Sequence, residues 1–433
     1  MRLIRPGLVA LAALAIAVAT RAASATVEIA SLADLESYAA RSGNVVTLTP
    51  GVYRVADLLT SDAIEARRRR KEFAVLNFSG SDNTFIMDGV TFEYDTAIRT
   101  ALSPPLHSNE FIVTGDRNTL RGLTLICTGD GTSPGGALVS IDGDNNTVED
   151  ATFHVRGSFP YGYGDLFGKG ARPVISHLKH SGFLITGSDT RVIGCRLYMH
   201  SFGHGFFVQG GENHYFENCY VEGRMRRTDD MLAETAGPAF DKAFAMEVPN
   251  REGKHRVLPD YAKSLSEDGF RTYGQVKNLT FINCTAKNMR GGFELRTREP
   301  VRLENCSAFG NERGFWVSGA VMKNCRGDAE YGPLLFVEGN NARIDVTLLP
   351  TESDAVIHAL ALIHGTGHEI RLESADGTRV QPLPIRIGYG TPPAGEGMAA
   401  IPEKPASFIR LVNHTGMPIE QSSLASDINV VRD

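Results

Sequence analysis

An all-β solenoid is the fold class this chain predicts, on three observations: a short apolar strand that recurs at near-constant spacing, a parallel recurrence of cysteines, and a composition rich in glycine but poor in aromatic residues. The strand recurs at 111–115 (Phe-Ile-Val-Thr-Gly), 138–143, 183–187, 206–210, 293–296, 315–319 and 334–339, and all but the segment 293–296 end in Gly. Gly187 to Gly210 and Gly319 to Gly339 are about twenty residues apart, with longer gaps where loops intervene. A strand, a turn and one or two further strands per period cannot bury an apolar face alone, so coil stacks on coil.

The six cysteines are Cys127, Cys195, Cys219, Cys284, Cys306 and Cys325, and four of them directly follow Asn218, Asn283, Asn305 and Asn324. Cysteines at one rung of successive coils stack in the core as small apolar groups, with Asn beside them at a bend. Disulfides between neighbouring coils are the alternative, because a strand spacing of about 4.8 Å falls within bridging range. In-register stacking points the Cβ vectors in parallel, however, and so favours free thiols.

With 45 Gly, 42% hydrophobic residues, 8% aromatic residues and a single Trp, the composition suits many tight turns around a long, narrow core. A net charge of −6 argues against nucleic-acid binding. At the start, Arg2 and Arg5 precede an apolar run over 8–19 that is too short to span a bilayer, and residues 23–25 (Ala-Ser-Ala) offer a cleavage site. The expectation is a signal peptide over 1–25 and one catalytic domain over 26–433, periplasmic or secreted, monomeric and without a membrane anchor.

Residues 31–40 read as a short amphipathic helix behind a Ser31 N-cap, placed to cover the first open rung of the solenoid. The next segment, 45–53, is an apolar strand broken by Pro50-Gly51 and ending in Tyr53. A short helix followed by such a strand resembles the opening of secreted right-handed parallel β-helix enzymes that act on uronic-acid polysaccharides. The resemblance implies a right-handed, single-stranded β-helix with a capping helix. Coils continue through 359–365, 384–388 and 408–412, with a Pro- and Gly-rich excursion at 391–405. Two insertions interrupt the middle: one near 157–178, carrying Tyr161 and Tyr163, and a polar, Arg-rich one near 222–273. Loops of that length in a compact repeat fold are usually functional.

Between them, 176–182 (Ser-His-Leu-Lys-His-Ser-Gly) and 200–205 (His-Ser-Phe-Gly-His-Gly) hold an unusual cationic set. Aligning the glycine that opens each strand puts His204 on the rung of Ser181 and Arg313, and His180 on that of Arg290. Lys179, His180, His200, His204, Arg290 and Arg313 are thus expected on one face, with Glu312 as the one carboxylate at those rungs. Like charges at ladder spacing repel unless an anion or a shifted protonation state relieves them.

Such a face suits an anionic substrate. Elimination from a uronate polymer requires neutralising the carboxylate, removing the C5 proton and protonating the departing O4. A lysine among other cations gives up its proton more readily, which makes Lys179 the candidate base. Tyr161 or Tyr163 is the candidate acid, and His180, His204 and Arg224 are candidate carboxylate neutralisers. The segments from Lys179 through His204 to 220–231 resemble parallel β-helix alginate lyases, closer to polysaccharide lyase family 31 than to the calcium-dependent family 6. The resemblance implies a Lys and Tyr catalytic pair, alginate as substrate and no cofactor. It places Lys179 in that pair and leaves Tyr161 and Tyr163 both open.

A polygalacturonase-like hydrolase is the chief alternative, because Gly203-His204-Gly205 and Asp229-Asp230 are similar to its short motifs. In such hydrolases the paired Asp precedes the Gly-His-Gly, the reverse of the order here. Asp229, Asp230 and Glu234 either hold calcium or pair with Arg226 and Arg227, and pairing is favoured. A C5 epimerase shares the base chemistry. A non-catalytic glycan-binding solenoid calls for aromatic platforms in place of a Lys/His cluster.

Overall fold

The computed structural model describes residues 26–102, 109–132, 135–168, 173–351, 359–377, 381–391 and 401–432; the expected signal peptide lies outside these. Parallel strand pairing builds almost the whole molecule. One sheet of 12 strands forms one wall. A 23-stranded sheet supplies two further ladders, which merge where Ala320–Gly327 runs through both. The chain is a parallel β-helix, and each coil visits the three walls in turn, as in Phe206–Val208, Glu212–Glu217 and Tyr220–Glu222.

The recurrent apolar strands all belong to the 12-stranded wall, where identical side chains stack. Phe183, Phe206, Phe270, Phe293 and Phe315 pair in register, with consecutive ring centroids 5.8, 5.1, 4.6 and 5.1 Å apart. Each ring is essentially fully buried, and burial of that size is worth about 1.5–3 kcal/mol per side chain. One residue before each Phe stands a glycine. A Cβ on Gly205 would sit 2.6 Å from the Gly269 carbonyl oxygen, and one on Gly292 would sit 2.7 Å from that of Gly314. Any larger residue would therefore force neighbouring coils apart.

A second stack lies at the bend between the other two walls. Asn218, Asn283, Asn305 and Asn324 all adopt the left-handed conformation, with φ of 54°, 53°, 54° and 51°. That conformation is tolerable for Asn because its short side chain finds local partners. Here Asn283, Asn305 and Asn324 each donate from the side-chain amide to the Asn one coil below, at 3.1, 3.2 and 3.4 Å. The cysteines that follow stack inward, and all six thiols of the chain are free and buried. Cys127 departs from the expected ladder: its strand, Thr124–Thr128, pairs with Thr152–Arg156, so its neighbours in the stack are apolar side chains such as Val155.

The helix Leu32–Ala39 caps the first coil as expected, with the Ser31 hydroxyl accepting from the Asp34 amide at 3.1 Å and Leu32, Leu35 and Ala39 buried. The two insertions fold against each other. Tyr163, Leu166 and Phe167 from the first pack on Met231, Phe244 and Val257 from the second in a separate small core. The second insertion ends earlier than expected, because Asp268–Thr272 is already a strand of the 12-stranded wall. With no bridge to break, excess dithiothreitol is expected to leave the thermal unfolding midpoint unchanged; a reductant-dependent fall would show a disulfide.

Candidate functional site

Extending the strand pairings of the 12-stranded wall back by two residues puts Ser181, His204, Asp268, Gly291 and Arg313 on one rung, at the turn that enters this wall. One position earlier stand His180, Gly203, Glu267, Arg290 and Glu312. Outward on the wall itself run Phe207, Arg271, Glu294, Trp316, Phe336 and Leu362, each in register with the next. These rungs and the folded insertions border a groove of about 730 Å³.

The groove is charged at one end and apolar at the other. Arg290 is the hub of its polar end. Its guanidinium holds Asp268 through both Nε and Nη2, at 3.1 and 2.8 Å, and reaches Glu267 at 3.0 Å and Asp165 at 3.2 Å. His204 lies 3.4 Å from Glu267 and 3.3 Å from Asp268. Lys179, with a side chain 38% exposed, donates to Glu267 at 3.0 Å. Buried Lys263 bridges Asp165 and Glu312 beneath.

Beside this hub, three guanidiniums converge on one carboxylate: Glu294 pairs with Arg271, with Arg296 at 2.8 Å and with Arg313 at 2.9 Å. Burial lowers the affinity of Arg271 and Arg296 for their protons, and the adjacent arginines Arg296 and Arg313 add to it. Tyr273 lies beside Arg271, whose guanidinium stands 4.8 Å over its ring. Trp316 lies between the two ends, in contact with Arg296, Arg313 and the Phe336 ring.

Of the residues expected at the site, the structure brings Lys179, His204, Arg290 and Arg313 to the groove. Arg290 is buried and bound by three carboxylates, so it braces the groove. The remaining expectations are corrected. His180 turns inward, 1% exposed, where it pairs with Glu110 at 3.2 Å beside Arg99; burial lowers its proton affinity, with Glu110 opposing. Tyr163 donates to Glu234 at 2.7 Å, and Tyr161 packs against the same loop core, so neither phenol lines the groove. His200 and Arg224 stand with Arg156 on another wall. Of the candidate calcium ligands, Glu234 pairs with Arg226 at 2.7 Å and Asp229 with Arg227 at 3.4 Å. Among the described residues no group of three or more His, Cys, Asp or Glu is arranged to hold a metal ion.

The face is also richer in carboxylates than the sequence alignment suggests. Glu267, Asp268, Arg271 and Tyr273 were hidden because the second insertion was taken to run to Tyr273, and Asp165 because it lies in the first. Asp268-Gly269-Phe270 repeats His204-Gly205-Phe206 and Arg313-Gly314-Phe315, and that repeat was the available signal.

No protein-family model and no curated protein matches this chain. Among solved structures, a PL6 alginate lyase in complex with a trisaccharide is similar at TM-score 0.43 and 10% identity, covering 95% of this chain and 89% of that one. The catalytic domain of a GH87 α-1,3-glucanase variant in complex with tetrasaccharides is similar at TM-score 0.39 and 12% identity, covering 97% and 70%.

The fully buried Asp268 carboxyl is opposed by burial, yet His204, Arg271 and Arg313 hold its pKa well below the usual carboxylate range. A depressed folded-state pKa contributes stability above the unfolded value that is lost as pH falls through the folded one. Asp268→Asn is therefore expected to cost about 3 kcal/mol near neutral pH. In chemical denaturation, the gap to the parent chain should narrow below about pH 4; a gap independent of pH would contradict this.

Proposed function

We propose that this chain is a polysaccharide lyase that cleaves a uronate-containing polymer, with alginate the first candidate, by β-elimination. The observation that carries the reading is the convergence of Arg271, Arg296 and Arg313 on the carboxylate of Glu294, with buried Asp268 3.7 Å from Arg271 and 3.6 Å from Arg313, in a groove that also holds Lys179 and Tyr273. Three cations face Glu294 and an Asp268 that is already held by Arg290, which leaves positive charge for an anionic sugar. Arg296 and Arg313 retain exposed surface, 36% and 15% of their side chains, with which to meet it.

In the proposed reaction the sugar carboxylate docks on Arg296 and Arg313, which stabilise the charge that develops when C5 loses its proton. Lys179 reacts as the neutral amine, its own proton having left to solvent; it takes the C5 proton, and the ammonium that forms pairs with ionised Glu267, 3.0 Å away. The C5–H electrons form the C4–C5 double bond as the C4–O4 bond breaks, and Tyr273 protonates O4. Trp316, Phe336 and Leu362 offer the neighbouring sugar an apolar floor. The polymer is the partner, and the expected export would bring the enzyme to it.

Hydrolysis is the second reading, favoured by the groove carboxylates Asp165, Glu267, Asp268 and Glu294. It requires one carboxyl to stand protonated as general acid, whereas cations engage all four.

The test is incubation with alginate, polygalacturonate and a glycosaminoglycan, with a chelator present throughout. Ultraviolet absorbance of an unsaturated uronate is expected with at least one polymer. Saturated reducing ends alone would favour hydrolysis, and C5 inversion without cleavage would favour epimerisation. Lys179→Ala and Tyr273→Phe are each expected to lower turnover about a hundredfold or more. Lys179→Arg should not rescue it, because a guanidinium stays protonated. Near-normal turnover in the Arg variant would remove Lys179 from the role of base.

A further inference from the structure

Arg156, His200 and Arg224 lie away from the groove, on the ladder that carries Thr152–Arg156, Arg196–His200 and Tyr220–Glu222. Arg156 and His200 are register partners, and continuing the pairing of Tyr198 with Glu222 by two residues brings Arg224 onto the same rung. Parallel strands set successive neighbours about 4.8 Å apart, so the two arginines flank His200 two rungs from each other, close enough to repel. Little offsets them here. Arg156 reaches only the fully exposed Asp130, at 4.0 Å, and among the described residues Arg224 makes no ion pair.

The groups between the arginines are donors. Burial pushes the His200 pKa down to about 4, helped by Arg224 and Arg156, so the ring stands neutral at neutral pH with an N–H to offer. Among the described residues the buried Tyr161 hydroxyl has no hydrogen-bond partner. Burial raises its pKa to about 12, with Arg224 and Arg156 opposing, which places both guanidiniums in its neighbourhood. A buried hydroxyl left unpaired is costly, and such groups normally find an acceptor. Two guanidiniums, an imidazole and a phenol thus gather where, among the described residues, the one carboxylate in reach is the solvent-exposed Asp130. Three residues after Arg156, the Phe159 ring is 45% exposed, an apolar face of the kind that packs on a sugar ring.

We propose that Arg156, His200, Arg224 and Tyr161 form a second, non-catalytic site that holds the carboxylate of a uronate unit and tethers the polymer outside the groove. The site rests on the uronate reading of the groove, because it takes the same anionic sugar. It gives Arg224 a counter-charge, Arg156 a nearer one than the exposed Asp130, and the phenol an acceptor. Phe159 then covers one face of the sugar ring.

Native electrophoresis through gels cast with alginate or polygalacturonate tests this without turnover, using the full-length chain carrying Lys179→Ala. That chain is expected to be retarded by one of the polymers. Adding Arg156→Ser and Arg224→Ser should weaken the apparent affinity about tenfold or more, the scale of losing two charge-assisted contacts. Adding Arg156→Lys and Arg224→Lys should keep most of the retardation, which guards against a folding defect in the serine pair. Undiminished retardation in the serine pair would overturn the second site while leaving the groove reading intact. Passage of every variant unretarded through both polymers would overturn the second site and the uronate reading together.

Discussion

The constraint on which everything else depends is in-register parallel stacking. Each residue of one coil lies about 4.8 Å from its counterpart in the next, so a property required at one rung is imposed on its neighbours. Where the requirement is burial, the solution is repetition: the phenylalanine column, the free thiols and the asparagine column each repeat one side chain. Where the rung faces out, repetition of a charge would be destabilising. The outward rung through Arg271, Glu294 and Trp316 therefore alternates cation, anion and aromatic ring.

That alternation explains why the groove is a network with no single dominant pair. Arg290, Asp268, Glu267 and Asp165 are almost fully buried, and a buried charge is tolerable only when it is paired and hydrogen-bonded. Arg290 satisfies three carboxylates at once, which fixes the turn carrying His204 relative to the coils after it and to the loop carrying Asp165. The ion pairs at the rim are as short but more exposed. Lys179 and Arg296 keep more than a third of their side chains exposed, so the groups that must meet a ligand are the ones with freedom to move. A rigid buried layer under a mobile charged rim suits a site that exchanges its internal carboxylate partner for one on a substrate.

Much of the fold was legible because stacking writes itself into sequence as recurrence. The x-Gly-Phe turn at Gly182, Gly205, Gly292 and Gly314, the Asn-Cys bend and the Ser31 cap each have a local physical cause. Cys127 broke the pattern because it lies within the strand Thr124–Thr128, past the bend, whereas the other five stand at the bend itself. The site was less legible. Lys179, His204 and Arg313 could be aligned through their glycines, but direction could not: His180 and Lys179 are adjacent, and one enters the core while the other faces the groove. The tyrosines of the first insertion misled because a long loop was assumed to reach over the groove, whereas Tyr163 and its neighbours pack into a core of their own. The carboxylates were missed for a simpler reason: Asp268-Gly269-Phe270 lay at the end of a charged insertion, and its membership of the repeat was hidden by what precedes it.

The most direct measurement of the central assignment is a crystal structure of the Lys179→Ala chain with a uronate oligosaccharide at saturating concentration. The assignment predicts a sugar in the groove with its carboxylate against Arg296 and Arg313, its C5 hydrogen facing the position vacated by Lys179, and its O4 within reach of the Tyr273 hydroxyl. A groove left empty at saturation, or a sugar whose carboxylate turns away from these arginines, would contradict it.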